Sequence, residues 1–310
     1  WNIGDEVATR KAYGDALVAL YPHHPSMVVL DAEVSNSTYA HTFKAAYPDR
    51  FFEMYVAEQN MVGAAVGLAR RGKLPFVSTF AAFFSRAFDQ IRMSAYSQVP
   101  IVYTGSHAGV SIGEDGPSQM GLEDLALFRS VWGSAVLYPA DARATRALIE
   151  AAAAYEGISY VRTTRTKTPV IYAPDETFVI GGSKLLRGSH HDRYTVVAAG
   201  ITLFEALAAY EELKRGGIFV RVIDLYSIKP LDLRTLAAAA QETRAILTVE
   251  DHYPAGGIGE AVAAALSQKR IPVFSLAVTK RPRGGSGPEL LDYEGISKTA
   301  IIKRILTLEE

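Results

Sequence analysis

Two adjacent segments of the chain concentrate the residue types that could do chemistry. Residues 79–90 contain four phenylalanines, which offer aromatic faces. Residues 105–119 combine four glycines with a set of polar side chains, namely His107, Glu114, Asp115, Ser118 and Gln119. Aromatic faces beside a polar, Gly-rich loop are what a flat heterocyclic cofactor and a polar substrate require. The two segments therefore predict a ligand site.

Each segment also has an ordinary structural explanation. The spacing of Phe80, Phe83 and Phe84 places several rings on one helical face, and such a stripe more often packs in a core. The glycines can serve turns alone. A loop that only turns rarely needs a histidine, two adjacent acids and a glutamine, so a binding role is favoured for residues 105–119.

Charged residues lie near predicted strand ends. Glu58 follows the apolar run 51–56 and precedes a helix, where a glutamate commonly complements the helix dipole. The alternative is a carboxylate at the carboxyl end of a strand, where ligands gather in open α/β sheets. A solvated surface position is the default for the cations Arg10, Arg162, Arg165 and Lys167. Arg165, just past a predicted strand, could also hold a phosphate or carboxylate bidentately.

A Gly-rich turn around His252, at residues 250–259, is a weaker candidate. The start of the helix predicted after it could hold an anion. A tight strand-to-helix turn explains the glycines equally well.

The elements that must position these residues follow from the hydropathy pattern, in which short apolar runs alternate with helix-period segments. Strands are predicted over 27–30, 75–78, 101–104, 135–138 and 158–161. Helices are predicted over 60–71, 82–96, 122–128 and 142–155, the last with Asp141 as its N-cap. This alternation indicates an α/β fold, with a parallel sheet covered on both faces.

The alternation lapses and then resumes, which predicts a second, smaller α/β domain. Prolines and glycines interrupt the pattern over 165–191, where a short edge strand is expected at 168–172 and a linker at 176–191. Further strands are predicted over 194–199, 219–225, 245–249 and 273–278, and helices over 203–215, 232–241 and 257–268. The prediction is thus two consecutive domains, 1–175 and 192–310, each a mostly parallel sheet with helices on both faces.

Composition excludes several classes of protein. The net charge of the 310 residues is −1, so charge suggests neither nucleic acid nor a membrane surface as a partner. The absence of cysteine excludes disulfides, a thiolate nucleophile and Cys-ligated metal. Neither a Walker loop nor a dinucleotide-binding glycine fingerprint is found. No secretory signal or spanning segment is recognised, so a cytoplasmic location is expected.

Three motifs resemble the transketolase family: residues 56–61 (VAEQNM), 78–84 (STFAAFF) and 109–119 (GVSIGEDGPSQ). The resemblance runs nearly end to end but covers only the carboxyl-terminal half of that family. It implies a pyrimidine-binding domain at 1–175 and a transketolase C-terminal domain at 192–310. The Gly-Asp-Gly motif followed by Asn, with which thiamine enzymes hold magnesium on a diphosphate, is not found. The resemblance therefore implies a partner chain that carries the diphosphate-binding domain.

The resemblance also implies roles toward the cofactor, thiamine diphosphate. Glu58 is expected to hydrogen-bond N1′ of the aminopyrimidine, which favours the imino tautomer whose N4′ deprotonates thiazolium C2. Phe80 and Phe83 are expected to form a wall against the pyrimidine, with Arg86 and Gln90 on its rim. Related enzymes often carry an aromatic residue where Arg86 stands.

The family's substrate-binding residues match a second group of positions. His107, Asp115 and Gln119 resemble residues that hold the hydroxyls of a ketose donor, and related enzymes often have histidine in place of Gln119. The group expected to bind the sugar phosphate comprises Arg10, Ser37, His107 and Arg165. Glu58 and His107 are the expected catalytic residues. Positions near the carboxyl ends of neighbouring parallel strands would be brought together in such a fold.

The expected function is that of the pyrimidine-side subunit of a split transketolase in the pentose phosphate pathway. It would transfer a two-carbon ketol unit from a ketose phosphate to an aldose phosphate. The expected assembly is a dimer of heterodimers in which the partner subunit holds Mg²⁺ or Ca²⁺. The alternatives are a beta subunit of a 2-oxo acid dehydrogenase, a deoxyxylulose-phosphate synthase type of enzyme, or a non-catalytic regulatory subunit.

Overall fold

The computed structural model describes all 310 residues of the chain. Its strands are β1 (Glu6–Ala8), β2 (Met27–Asp31), β3 (Phe51–Glu53), β4 (Leu74–Phe80), β5 (Ile101–Ser106), β6 (Ala135–Leu137), β7 (Ile158–Arg162), β8 (Lys167–Pro169), β9 (Lys184–Arg187), β10 (Tyr194–Ala198), β11 (Val220–Asp224), β12 (Ser227–Lys229), β13 (Ala245–Val249) and β14 (Val273–Leu276). Its α-helices are α1 (Thr9–Leu20), α2 (Ser35–Thr38), α3 (His41–Ala46), α4 (Glu58–Arg70), α5 (Phe88–Tyr96), α6 (Asp124–Ser130), α7 (Ala142–Ala153), α8 (Ile201–Arg215), α9 (Leu233–Glu242), α10 (Ile258–Ala265), α11 (Gly287–Glu294) and α12 (Lys298–Glu309). Short 3₁₀ segments occur at Tyr21–His23, Pro48–Arg50, Ala81–Ala87 and Val110–Asp115. None of these helices is both long enough and apolar enough to span a bilayer.

Two large sheets carry the fold. The first has seven strands in the order β12-β6-β7-β5-β4-β2-β3, and the second has five in the order β14-β13-β10-β11-β9. Every pairing is parallel except that of β12 with β6 and that of β9 with β11. The predicted fold class, two mostly parallel sheets flanked by helices, is confirmed.

The first sheet is covered on both faces because alternate residues of its strands point to opposite sides. On β2, Val28 and Leu30 pack into one apolar core, which also contains Met61 of α4. Val29 belongs to a different core, together with Leu17 of α1. Strands buried on both faces read as continuous apolar runs, which explains why they could be recognised in the sequence.

Edge strands and a few boundaries differ from the prediction. The short strand expected at 168–172 is β8, which pairs with β1 in a separate two-stranded sheet. The predicted linker at 176–191 includes β9, an edge strand of the second sheet. Strand β12 follows the second domain's β11 yet pairs with β6 of the first sheet. The domain limits themselves stay a prediction.

The helix predicted over 82–96 begins only at Phe88. The residues before it form the 3₁₀ segment Ala81–Ala87, in which the hydroxyl of Ser85 donates to the carbonyl of Ala82. A 3₁₀ helix turns more tightly than an α-helix, so side chains three residues apart lie directly above one another. This alignment determines the arrangement of the aromatic residues in the site.

Candidate functional site

The candidate site lies at the carboxyl ends of β2, β4, β5 and β7, which are neighbours in the first sheet. Phe80 is the last residue of β4, and His107 directly follows β5. Arg165 comes three residues after the end of β7, and Ser37 lies in α2, shortly after β2. Because the carboxyl ends of parallel strands meet at one edge of the sheet, residues far apart in sequence share this edge.

A column of stacked side chains forms the centre of the site. The rings of Phe80 and Phe83 stack with centroids 5.1 Å apart, and the guanidinium carbon of Arg86 lies 4.3 Å from the centroid of Phe83. The imidazole of His107 stacks on Phe80 at 3.8 Å between centroids. Phe83 and Arg86 align because they are three residues apart in the 3₁₀ segment, which Phe80 directly precedes.

Glu58 is the first residue of α4 and is 4% exposed. A carboxylate in the first helical turn faces the positive end of the helix dipole, which stabilises its charge there. Its Oε1 accepts a hydrogen bond from the guanidinium of Arg86, whose side chain is about half exposed. One residue, Arg86, thus contacts both the buried acid and the aromatic wall.

His107 sits in a constrained and buried setting. Its backbone has φ 59°, a left-handed conformation that is uncommon for residues other than glycine. The Oγ of Ser106 lies 2.6 Å from its Nδ1, and Oδ2 of Asp115 lies 3.8 Å from its Nε2. Burial, together with the positive charges of Arg10 and Arg165, lowers the pKa of His107 to about 3. The imidazole is therefore neutral at physiological pH, so one ring nitrogen can donate a hydrogen bond to a hydroxyl group and the other can accept one.

Two guanidinium groups accompany His107. Arg165 pairs with Asp115 at 3.0 Å and donates to the carbonyl of Ile112 at 3.0 Å. Arg10 donates to the carbonyl of Ser37 at 2.8 Å, while its buried Nε has no hydrogen-bond partner. Burial is the main cause that lowers the pKa of Arg10, and the charge of Arg165 adds to it. A buried donor without a partner, beside a second cation, suits an anionic ligand.

Two predicted site residues are not joined to this group. Gln90, on α5, has a buried Oε1 without a hydrogen-bond partner. Gln119 is partly buried in the turn that follows Gly116, and its backbone N–H donates to the carbonyl of Gly116. Ser37 contributes its backbone carbonyl, which the sequence could not indicate. The roles of these three side chains stay predictions.

The structure contradicts the expected surface position of Arg162 and removes the weaker candidate site around His252. Arg162, one of the cations expected at the surface, is completely buried. The start of α10, suggested as an anion site, is already occupied because the carboxylate of Glu250 accepts the N–H groups of Ile258 and Gly259. His252 is also buried, and its Nε2 accepts the N–H of Ala126 at 3.4 Å. The turn around His252 is therefore a structural feature, not a ligand site.

Two polar residues of the site were missed in the sequence. Ser106 contacts Nδ1 of His107, and the buried hydroxyl of Thr79 at the end of β4 has no partner. Each lies at the carboxyl end of a predicted strand, a position that already signals a ligand site in parallel sheets. That rule would have found both.

The arrangement suits one part of a larger cofactor. A buried carboxylate beside a stack of aromatic rings fits a flat nitrogen heterocycle, which needs both stacking and hydrogen bonds. No group of three or more His, Asp or Glu side chains is placed to ligate a metal ion. The arrangement thus suits a flat heterocycle and an anionic ligand.

Comparison with known proteins identifies the family of this chain. The family described as "Transketolase, pyrimidine binding domain" matches residues 5–170, and "Transketolase, C-terminal domain" matches residues 183–301. The chain is 54% identical to transketolase-like protein 2 of Mus musculus and 52% identical to the transketolase of Homo sapiens. Both matches cover 98% of this chain and 49% of the relative, so the chain spans about half the length of these proteins.

Solved structures agree with this result. A protein described as "Split gene transketolase, inactive beta4 tetramer" superposes with a TM-score of 0.87 at 40% identity, over 98% of both chains. The transketolase of Campylobacter jejuni superposes with a TM-score of 0.85 at 21% identity, over 98% of this chain and 47% of that one, which shows the shared fold. The chain therefore belongs to the transketolase family and corresponds to its carboxyl-terminal half.

Proposed function

We propose that this chain is the pyrimidine-side subunit of a split transketolase and acts only with a partner that carries the amino-terminal half. One observation carries the proposal: Glu58, the Phe80–Phe83 stack and the cations around His107 lie along one edge of the first sheet. The match to a split-gene transketolase over 98% of both chains supports the separate partner. We retain residues 1–175 and 192–310 as the limits of the two domains.

The transketolase family implies thiamine diphosphate and a divalent metal as cofactors. When bound, thiamine diphosphate supplies a carbon nucleophile and an electron sink for the two-carbon unit. In this chain, Glu58 would hydrogen-bond the pyrimidine N1′, with Phe80 and Phe83 as the wall and Arg86 and Gln90 at the rim. Mg²⁺ or Ca²⁺ would be held by the partner.

The chain's own residues bind and orient the sugar phosphates. The guanidinium groups of Arg10 and Arg165 would donate charge-assisted hydrogen bonds to the phosphate. Neutral His107, with Asp115 and Gln119, would hold the hydroxyls near the reacting carbons, and its Nε2 can donate or accept a hydrogen bond according to the tautomer. Burial of His107 excludes water from its polar contacts, which strengthens them.

The proposed activity is transfer of a ketol unit from a ketose phosphate to an aldose phosphate in the pentose phosphate pathway. The assembly would be a dimer of heterodimers, because we expect each cofactor to be shared between this chain and its partner. Its proposed location is the cytoplasm. The side of the site formed by Glu58 and Phe83 would then face the partner's diphosphate-binding domain.

The test is reconstitution. The tagged chain is purified from its native cells with whatever accompanies it, and the assembly is assayed with thiamine diphosphate and Mg²⁺ and with xylulose 5-phosphate or pyruvate as donor. Transfer from xylulose 5-phosphate by the assembly, and none by the chain alone, is expected. Full turnover by the chain alone contradicts the need for a partner. Preference for pyruvate indicates one of the two alternative enzymes, a 2-oxo acid dehydrogenase or a deoxyxylulose-phosphate synthase type. A cofactor affinity that does not depend on this chain indicates a regulatory subunit.

A further inference from the structure

Arg162, the last residue of β7, has no solvent-exposed surface, and every part of its guanidinium is engaged. Its Nε donates to Oδ2 of Asp124 at 2.8 Å, and its Nη1 donates to Oδ1 of Asp251 at 2.7 Å. Its Nη2 donates to the carbonyl of Gly121 at 2.9 Å. The two carboxylates come from different domains. Asp124 begins α6 in the first domain, whereas Asp251 follows β13 in the second. Arg162 thus bridges them in the protein interior.

Both carboxylates are themselves held in place by tyrosines. The hydroxyl of Tyr160 donates to Oδ2 of Asp124 at 2.6 Å. The hydroxyl of Tyr138 donates to the carboxylate of Asp251 at 3.1 Å, and the Tyr138 ring lies 4.6 Å from the guanidinium carbon of Arg162. A buried polar network in which each member has partners is rigid and defines one geometry.

This network meets the site at the base of the loop that carries His107. The carbonyl of Gly121, which accepts from Arg162, also accepts the N–H of Gly109 at 2.8 Å. The N–H of Gly121 donates to the carbonyl of His107 at 3.1 Å. The two ends of the loop are therefore joined to each other and to the guanidinium.

Asp251 also touches the loop directly. A Cβ atom on Gly109, which has φ 80°, would lie 1.8 Å from Oδ2 of Asp251. The second domain supports the loop again further along, where a Cβ on Gly113 would lie 3.0 Å from the carbonyl oxygen of Gly285. The loop between residues 107 and 121 is thus packed against the second domain at two places.

We propose that Arg162 is a positioning residue through which the carboxyl-terminal domain sets the geometry of the donor-sugar loop, residues 107–121. The proposal rests on the proposed function for the loop's role, and it gives the second domain a part in the reaction. Asp251 holds the guanidinium from the second domain, and the guanidinium holds the carbonyl of Gly121. Because the N–H of Gly121 donates to the carbonyl of His107, a fixed Gly121 also fixes the position of His107.

A purely structural role predicts a different behaviour. Replacing a whole buried ion pair by apolar residues is often neutral or stabilising, whereas removing the arginine alone leaves Asp124 and Asp251 buried without a counter-charge and lowers the stability of the whole fold. What an apolar residue cannot replace is the directed donor to the Gly121 carbonyl. Asp251→Asn avoids most of that cost because Arg162 stays paired with Asp124, so a positioning role predicts that its effect is confined to the loop.

The chain offers a matched control. Arg129, on α6, also reaches across to the second domain, where it donates to the carbonyl of Gly257 at 2.9 Å. It makes no contact with the loop among its hydrogen bonds. Arg129→Met and Arg162→Met therefore remove the same side chain from two interdomain contacts, only one of which reaches the site.

The experiment measures amide hydrogen exchange of residues 107–121 in the full chain. We expect Arg162→Met and Asp251→Asn to speed exchange in this segment about tenfold or more, whereas Arg129→Met leaves it within about twofold of the unaltered chain. Arg162→Lys, which keeps the charge, should restore part of the protection. Unchanged exchange in Asp251→Asn, a near-isosteric variant expected to fold, overturns the proposal. So does equal loosening by Arg129→Met.

Kinetics of the reconstituted assembly give the second readout. KM for the ketose phosphate should rise about tenfold in Asp251→Asn, while Kd for thiamine diphosphate stays within about twofold, because Glu58 and Phe83 make no hydrogen bond to the network and meet the loop only through the stack of Phe80 on His107. A parallel loss of cofactor affinity would contradict a loop-specific role. If the unaltered assembly transfers no ketol unit, the proposed function fails, and the exchange measurement still decides the role of Arg162.

Discussion

The guanidinium of Arg86 donates a hydrogen bond to the carboxylate of Glu58 while it covers the ring of Phe83. A planar group that stacks on an aromatic ring and hydrogen-bonds an acid makes the same two kinds of contact that an aminopyrimidine needs. Arg86 therefore occupies partners that the cofactor is proposed to use. If the pyrimidine binds as proposed, this guanidinium would have to leave Glu58 for the rim of the site, and that movement would lower the apparent affinity.

Replacement of Arg86 should therefore strengthen cofactor binding. Because its side chain is about half exposed, the Arg86–Glu58 pair is worth less than about 1 kcal/mol, so Arg86→Ala should lower Kd for thiamine diphosphate about threefold. Isothermal titration of the assembly measures this. Arg92→Ala is the control, since Arg92 is exposed on α5 and pairs only with Asp89. A weaker affinity in Arg86→Ala would instead show that Arg86 holds the bound cofactor.

Glu58→Gln should abolish turnover and leave the assembly intact. A glutamine of the same shape keeps the packing of α4, but it lacks the charge and acidity of the carboxyl, so kcat should fall about 10²- to 10⁴-fold. Transfer assays and sedimentation of the complex provide the two measurements. Glu53→Gln, a change of the same kind at the end of β3, should leave kcat close to that of the unaltered chain. Full activity in Glu58→Gln would remove its assigned role.

Arg165→Met should weaken binding of phosphorylated donors in particular. A charge-assisted hydrogen bond is worth about 1.5–3 kcal/mol, so KM for a ketose phosphate should rise about 10- to 100-fold. KM for an unphosphorylated ketose should change little, and the ratio of the two is the measurement. Lys167→Met provides the control because Lys167 is exposed on β8. Equal effects on both sugars would argue that Arg165 only supports Asp115.

Acid should destabilise the chain partly through His252. Burial lowers the pKa of His252 to about 4, whereas an unfolded chain takes up the proton at a pKa of about 6.5. The unfolded state therefore binds more protons between those values, and stability is lost as pH falls through 6.5 toward 4. Between pH 7 and pH 5, this one group should cost about 2 kcal/mol of unfolding free energy.

Urea unfolding at the two pH values, compared between the unaltered chain and His252→Gln, isolates this contribution. The variant should lose less stability on acidification by about 2 kcal/mol, whatever its stability at pH 7. His190→Gln, at an exposed position, should show the same loss as the unaltered chain. An identical pH dependence in His252→Gln would contradict a neutral, buried imidazole.

The interior of the fold was readable from the sequence, whereas its edges were not. Strand β13 has the predicted limits because a strand buried on both faces is a continuous apolar run. Strands β9 and β12 are short and lie at sheet edges, so their pairing depends on a distant partner, not on their own pattern. The burial of Arg162 is equally non-local, because Asp251 lies 89 residues away in sequence.

The candidate site was predictable where it depends on strand ends and motif spacing. Those rules brought Glu58, His107 and Arg165 to one edge of the sheet. They could not show that Arg86 would pair with Glu58, because side-chain partners across 28 residues depend on the tight 3₁₀ turn that orients the guanidinium. They also could not show that Ser37 would contribute its backbone carbonyl, which accepts a hydrogen bond from Arg10, and not its side chain.

Strand β12 has a consequence for the order in which the protein is made. Until the ribosome has produced Ser227–Lys229, β6 remains an open edge, with unpaired N–H and C=O groups that another nascent chain can join. The amino-terminal sheet therefore lacks one of its two edge strands until residues 227–229 have been made. Residues 1–175 expressed by themselves should associate through this edge more readily than the full chain, and circular permutants should tolerate new ends elsewhere better than between β11 and β12.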